Sequence, residues 1–119
     1  MMVTFKVDNL KNMNSELRAF AEFLKLNAIC DEDVFASRLV SCELITNVIR
    51  HGGEAAEFRG ELLADSIVVT VKAKSLEGLD LITALPDVFA ESGRGLYIVR
   101  CFGEIEESGG GLRVCIKRH

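Results

Sequence analysis

The sequence predicts an α/β fold, a two-layer sandwich in which helices pack on one face of a mixed, largely antiparallel sheet. Residue patterns typical of strands occur at 3–7, 56–64, 67–74 and 112–117. The two longest segments with helical spacing both lie between the first and the second of these strands. The chain has 119 residues, which is enough for one domain over 1–119 and too few for two.

The first strand, 3–7, is followed by two predicted helices. Asn14 or Ser15 can cap the first helix. Its apolar positions at helical spacing are Leu17, Phe20, Ala21, Leu24 and Ala28. The acidic run 31–33 suits the first turn of the second helix, which is expected to stop at the glycines 52–53.

The second half of the chain is predicted to add strands and one short helix. A turn at Asp65-Ser66 separates the second and third strands, and the inward face of the third is formed by Ile67, Val69, Val71 and Ala73. Residues 75–92 form either a functional lid or an ordered crossover with a short helix. A third helix is expected over 95–102. A last hairpin, 104–107 with 112–117, completes the order βααββαββ.

Composition excludes several classes of function. The net charge of −4 and the pI of about 5.2 argue against nucleic-acid binding, which needs a basic face, but leave a basic protein partner open. No apolar run approaches membrane-spanning length and no signal peptide is evident, so we expect a cytoplasmic protein without a membrane segment. The four cysteines lack the spacing of a zinc site and are expected to be buried thiols.

Glu43, Asn47 and His51 are the most informative residues. They are four residues apart, so on a helix they share one polar face, while apolar neighbours such as Leu44 and Val48 point to a core. A carboxylate, an amide and an imidazole on one face can hold a metal–phosphate group and activate a nearby oxygen. The alternative is a solvated polar face, and for His51 a favourable position in the last helical turn.

A glycine motif lies near the third predicted helix. Gly93-Arg94-Gly95-Leu96 opens onto an apolar helical run. Glycines let backbone N–H groups approach an anion, and a helix N-terminus attracts negative charge. The alternative is a flexible turn before a helix.

Together, Glu-x-x-x-Asn-x-x-x-His-Gly at 43–52 and Gly-Arg-Gly-Leu at 93–96 resemble the histidine-kinase-like (GHKL, Bergerat-fold) ATPases. Within them the chain is most similar to the small anti-sigma-factor serine/threonine kinases of bacteria, over essentially its whole length. The resemblance implies a Bergerat ATP-binding fold, ATP and Mg²⁺ as ligands, Glu43 as the general base and Asn47 as the magnesium ligand. The candidate nucleotide-binding residues are Asn47, His51, Gly78, Gly93, Arg94, Gly95 and Leu96.

The chain departs from this family where the adenine base should bind. The family usually carries Asp-x-Gly-x-Gly at the end of the strand before the lid. Gly78 fits the second glycine, but Lys74 stands where the adenine-binding aspartate is expected and Leu76 where the first glycine is expected. A lysine has only donors and cannot accept a hydrogen bond from adenine. Glu77 or Asp80 could replace the acceptor if the register slips.

Two functions therefore remain open. The first is an ATP-binding regulator, a possible protein serine/threonine kinase, that phosphorylates or sequesters a sigma factor or a STAS-type anti-anti-sigma protein despite a degenerate adenine pocket. The second is a protein-interaction module on the same fold that has lost nucleotide binding. The resemblance also implies a homodimer.

Overall fold

One antiparallel sheet forms the framework of the protein. A computed structural model describes residues 1–76, 99, 101–107 and 109–119. The strands are β1 (Met2–Val7), β2 (Ala56–Leu62), β3 (Ser66–Lys72), β4 (Gly103–Glu107) and β5 (Gly111–Lys117). Their order across the sheet is β1-β2-β3-β5-β4. All pairings among these strands are antiparallel, so the expectation of a mixed sheet is wrong for the described strands.

The first helix, α1 (Leu10–Leu26), begins earlier than predicted. Asn9 is its N-cap, because the Asn9 side chain accepts hydrogen bonds from the backbone N–H groups of Lys11 and Asn12. Asn14 and Ser15, the predicted caps, lie inside the helix. The reciprocal bond from the Asn9 backbone to the Asn12 side chain completes a capping box formed by two asparagines, a less common pair than serine with glutamate.

The second helix, α2 (Asp31–Gly52), confirms the prediction for this segment. Acidic residues occupy its first turn, and Arg50 and His51 occupy its last, so both ends complement the helix dipole. Gly53 ends the helix in the left-handed conformation, with φ of 66°. A glycine adopts that conformation without the steric cost that a side chain would add.

A single hydrophobic core joins both helices to one face of the sheet, as predicted. Every second residue of β3 and β5 points into it, as the register of the two strands requires. These inward residues are Ile67, Val69, Val71, Leu112, Val114 and Ile116, and all are buried. Ala73, just past β3, is buried in the same alternation. The compact α/β class and the helices on one face are therefore confirmed.

Helix α1 approaches β2 closely through an aromatic cluster. The ring of Phe20 meets the ring of Phe58 edge-on at 5.0 Å, and Phe58 stacks on Phe5 of β1 at 4.3 Å. A Cβ at Gly60 would lie 2.5 Å from the Phe20 ring, well inside van der Waals contact. Glycine at position 60 therefore allows α1 to pack against the sheet at this distance.

The remaining described residues bring two corrections. The strand ends before Lys74, which lies in a 3₁₀ turn (Lys74–Leu76). The cysteines are not buried thiols: Cys30, Cys101 and Cys115 are exposed and Cys42 is half-buried. Residues 99, 101 and 102 are helical, in agreement with a helix that ends at 102.

Candidate functional site

Helix α2 positions the three residues that the sequence singled out. Glu43, Asn47 and His51 lie on successive turns, about 6 Å apart along the helix axis for each step of four residues. Residues on one solvated polar face would be similarly exposed, but these three are not. Asn47 is only 3% exposed, Glu43 is half-buried, and His51 is exposed. The buried amide of Asn47 therefore lies between a half-buried carboxylate and an exposed imidazole.

Asn47 is anchored to its own helix. Its side-chain Nδ2 donates a hydrogen bond of 2.7 Å to the backbone carbonyl of Glu43. The bond places the amino end of the amide against the helix backbone, so the oxygen end points away from that carbonyl. An amide oxygen is a suitable ligand for a hard cation such as Mg²⁺.

Glu43 is the candidate general base. No hydrogen bond or ion pair reaches its carboxylate from the residues that the structure describes. Its charge is felt by the neighbouring Cys42. Burial raises the pKa of the Cys42 thiol, and the negative charge of Glu43 raises it further, against smaller opposing effects of Thr46 and Arg38. Cys42 is therefore a protonated thiol at neutral pH, and Glu43 is the acidic group in this part of the helix.

The end of α2 is tied to the end of β3. The Ser75 backbone N–H donates to Glu54 Oε1 at 2.6 Å, and the Ser75 hydroxyl donates to the carbonyl of Gly52 at 2.8 Å. The backbone bond from Ser75, with the positive charges of Lys74 and Lys6, lowers the pKa of Glu54. The patterns in the sequence did not predict this contact. Its only sequence signals are a serine three residues after the strand and a glutamate two residues after the helix.

Ala73, not Lys74, occupies the inward position at the end of β3. Ala73 is 1% exposed and continues the alternation of the strand, and its N–H donates to the carbonyl of Gly110 at 3.1 Å. Lys74 is exposed, beside a small cavity that it lines with Glu54 and Lys6. A side chain that contacts a ligand between α2 and the sheet must point to the helix side. The residue there is an alanine, which offers no hydrogen-bond acceptor.

The other predicted binding residues lie outside the described part of the chain. These are Gly78, Gly93, Arg94, Gly95 and Leu96, together with the alternative acceptors Glu77 and Asp80. The predicted lid also falls there, apart from its first two residues. The structure thus brings Glu43, Asn47 and His51 together on one helix, and their placement relative to the glycine motif stays a prediction.

The described residues suit the magnesium and phosphate end of a nucleotide but not its adenine base. Within them, no three His, Cys, Asp or Glu side chains form a group that could hold a metal ion. Magnesium does not need such a cage, because it is usually bound by one or two protein oxygens together with phosphates and water. The Asn47 amide oxygen suits that arrangement. The methyl group of Ala73 does not suit an adenine amino group.

Comparison of the chain with models of known protein families found no match, and neither did a search of curated proteins. No helix in the described ranges is both long and apolar enough to cross a bilayer.

Proposed function

We propose that this chain is an ATP-binding regulatory domain of the anti-sigma-factor serine/threonine kinase type, with impaired recognition of the adenine base. The observation that carries the proposal is the arrangement of Glu43 and Asn47. They lie on consecutive turns of the helix that packs on the sheet, with the Asn47 amide bonded to the Glu43 carbonyl and the Glu43 carboxylate without a partner among the described residues. This arrangement supports a metal ligand beside a general base.

Each residue then has a separate role. The Asn47 oxygen would hold the magnesium ion, and the glycine motif at 93–96 would hold the phosphates. Glu43 would accept the proton of a serine hydroxyl on a protein partner, a sigma factor or a STAS-type protein. When bound, Mg-ATP would supply the γ-phosphoryl group. General-base catalysis contributes about 10²- to 10⁴-fold to such a reaction, so its loss is measurable.

A second candidate is a cytoplasmic interaction module that has lost nucleotide binding. The absence of an acceptor at Ala73 favours it. The hydrogen bonds from Ser75 to Glu54 and Gly52 hold the end of α2 without any ligand. Under this alternative the same fold binds the partner directly, and Glu43 and Asn47 have no role in chemistry.

Thermal unfolding with and without Mg-ATP tests the proposal. A ligand that binds only the folded state at 100 times its dissociation constant adds about 2.7 kcal/mol of stability. We expect Mg-ATP to raise the melting temperature of the wild type, and ATP with a chelator to raise it less. No rise at saturating Mg-ATP would contradict the proposal and favour the interaction module.

Variants of α2 assign the roles. Asn47→Ala is expected to lose the magnesium-dependent part of the rise, and Glu43→Ala to keep the rise but lose transfer of radiolabelled phosphate to a STAS-type protein. Asn47 is buried, so its replacement also costs about 1–3 kcal/mol of stability, contrary to the expectation from a solvated face. The shift caused by the ligand is therefore compared within each variant. Arg50→Ala, an exposed change on the same helix, is the control, and transfer that survives Glu43→Ala would rule out the general base.

A further inference from the structure

The outer face of the sheet, opposite the helices, carries a cavity of about 360 Å³. It lies over β1, β2 and β3. Two cross-strand rows of outward-pointing side chains line it. One row is Thr4, Arg59 and Thr70, and the next is Lys6, Glu57 and Lys72. Neighbouring members of a row are about 4.8 Å apart, the distance between strands.

The first feature of this cavity is Thr70. Thr70 lies on the central strand β3 and is only 6% exposed, although it faces away from the helices. No residue that the structure describes donates a hydrogen bond to its hydroxyl or accepts one from it. Among the described residues only the Ser37 hydroxyl is both fully buried and without a partner, so the Thr70 hydroxyl is open to the cavity that Thr70 lines, where it can bond to a ligand or to water.

The second feature is the charge of the lining. Three cationic side chains and one carboxylate line the cavity, a local excess of two positive charges in a chain whose net charge is −4. Arg59 is paired with Glu61 at 3.4 Å. Lys6 and Lys72, by contrast, form no ion pair with any residue in the described ranges. The two lysines are therefore the cations available to a ligand.

We propose that this cavity binds a phosphate group, held by the ammonium groups of Lys6 and Lys72 and by the hydroxyl of Thr70. Lysine ammonium groups are common phosphate ligands, and hydrogen bonds to an ionised oxygen are stronger than those between neutral groups. With Arg59 paired to Glu61, the remaining lining carries an excess of one positive charge, which attracts an anion and repels a cationic ligand. The site is separate from the nucleotide site proposed on α2.

Glu57 makes the proposal specific. It lies between Lys6 and Lys72 in the same cross-strand row, so its carboxylate repels a bound anion. Removing this charge by Glu57→Gln should therefore tighten phosphate binding, by about 3-fold for a partly screened pair. A cavity that serves only as a gap between surface side chains would not respond in this direction.

The test is a titration of the ¹⁵N-labelled chain with inorganic phosphate, followed by NMR and compared with chloride at matched ionic strength. We expect saturable shifts at 4–6, 57–59 and 70–72. Lys6→Gln and Lys72→Gln should weaken binding about 3- to 10-fold each, and Thr70→Val about 10-fold. Lys117→Gln is the control, because it removes the same charge from the same sheet face outside this cavity.

A parallel titration with phosphoserine distinguishes two sources of the group. Binding of phosphoserine in preference to inorganic phosphate assigns the site to a phosphorylated protein, and equal binding assigns it to free phosphate. Shifts confined to residues near Asn47 would show binding at the α2 site and overturn the inference. Shifts that do not saturate would also overturn it. So would an equal loss of phosphate affinity in Lys72→Gln and Lys117→Gln, or weaker phosphate binding by Glu57→Gln. Failure of Mg-ATP to bind would leave this proposal standing.

Discussion

Replacing Asp33 with asparagine should destabilise the fold and change how its stability depends on pH. Asp33 lies in the first turn of α2 and is 1% exposed. Its carboxylate accepts a hydrogen bond of 2.7 Å from the His119 backbone N–H and lies 2.5 Å from the His119 ring Nδ1. Bonds to a buried carboxylate of this kind are worth about 1–3 kcal/mol when one partner is changed. For a domain of this size the melting temperature should fall by about 3–12 °C.

Two titrations set the pH range in which this contact stabilises the protein. Burial raises the pKa of Asp33, but the His119 hydrogen bonds, the Cys30 thiol and the charge of His119 together lower it below its ordinary value of 3.8. The Asp33 contribution is therefore present above pH 3.8 and is lost as the pH falls further. The hydrogen bond to Asp33, and then the charges of Asp33 and Glu32, raise the pKa of His119 above 6.5. Its contribution is complete below pH 6.5 and is lost as the pH rises through the raised value.

The assay is urea unfolding of the wild type, Asp33→Asn and His119→Gln, from below pH 3.8 to above pH 6.5. The free energy of unfolding of the wild type should exceed that of both variants by the largest amount between these two pH values. Asp31→Asn is the control, because Asp31 is exposed in the same first turn and forms no ion pair with His119. Charged groups nearby that do not contact the pair, such as Lys117, should affect all four proteins alike. Stability profiles of wild type and Asp33→Asn that stay parallel across the whole range would refute the reasoning.

Two further predictions concern the packing of α1 and the end of β3. Gly60→Ala should destabilise the protein by about 1–3 kcal/mol, measured by urea unfolding, because the new methyl group would meet the Phe20 ring, which also packs edge-on against Phe58. An unchanged midpoint would mean that the ring moves freely. Ala73→Asp should enlarge the rise in melting temperature caused by Mg-ATP, more than that caused by Mg-GTP, because it adds an acceptor on the helix side of the sheet. Lys74→Asp is the matched control, and an equal gain in both variants would show that the inward position is not the one that matters.

Alternation and spacing in the sequence predicted most of the fold. The inward residues of β3 and β5 follow a period of two without interruption, so the amino-acid pattern was enough to assign their shared face. The acidic first turn and the glycines after His51 marked both ends of α2. These signals are local, and the structure follows them because the hydrophobic core requires the same faces to be buried.

The errors arose where a partner distant in sequence, or an unusual local pair, decides the structure. The cap formed by Asn9 and Asn12 moved the start of α1, since serine with glutamate is the commoner signature of a capping box. The contact of Asp33 with His119 joins residues 86 positions apart, which no spacing rule detects. The burial of Asn47 depends on tertiary packing, because helical spacing gives only a side chain's direction and not what covers it.

The position of Ala73 changes the argument about nucleotide recognition. A lysine facing adenine would place its ammonium group, a hydrogen-bond donor, against the adenine amino group, which is also a donor. Binding of the base would then be unfavourable. An alanine only removes an acceptor, a loss of about 1–3 kcal/mol, or roughly 5- to 150-fold in affinity. The strand alternation places the alanine, and not Lys74, on the side of the sheet where α2 carries Glu43 and Asn47. Weak binding dominated by the metal and the phosphates is then compatible with this chain, and that is why the regulator is the stronger of the two proposed functions.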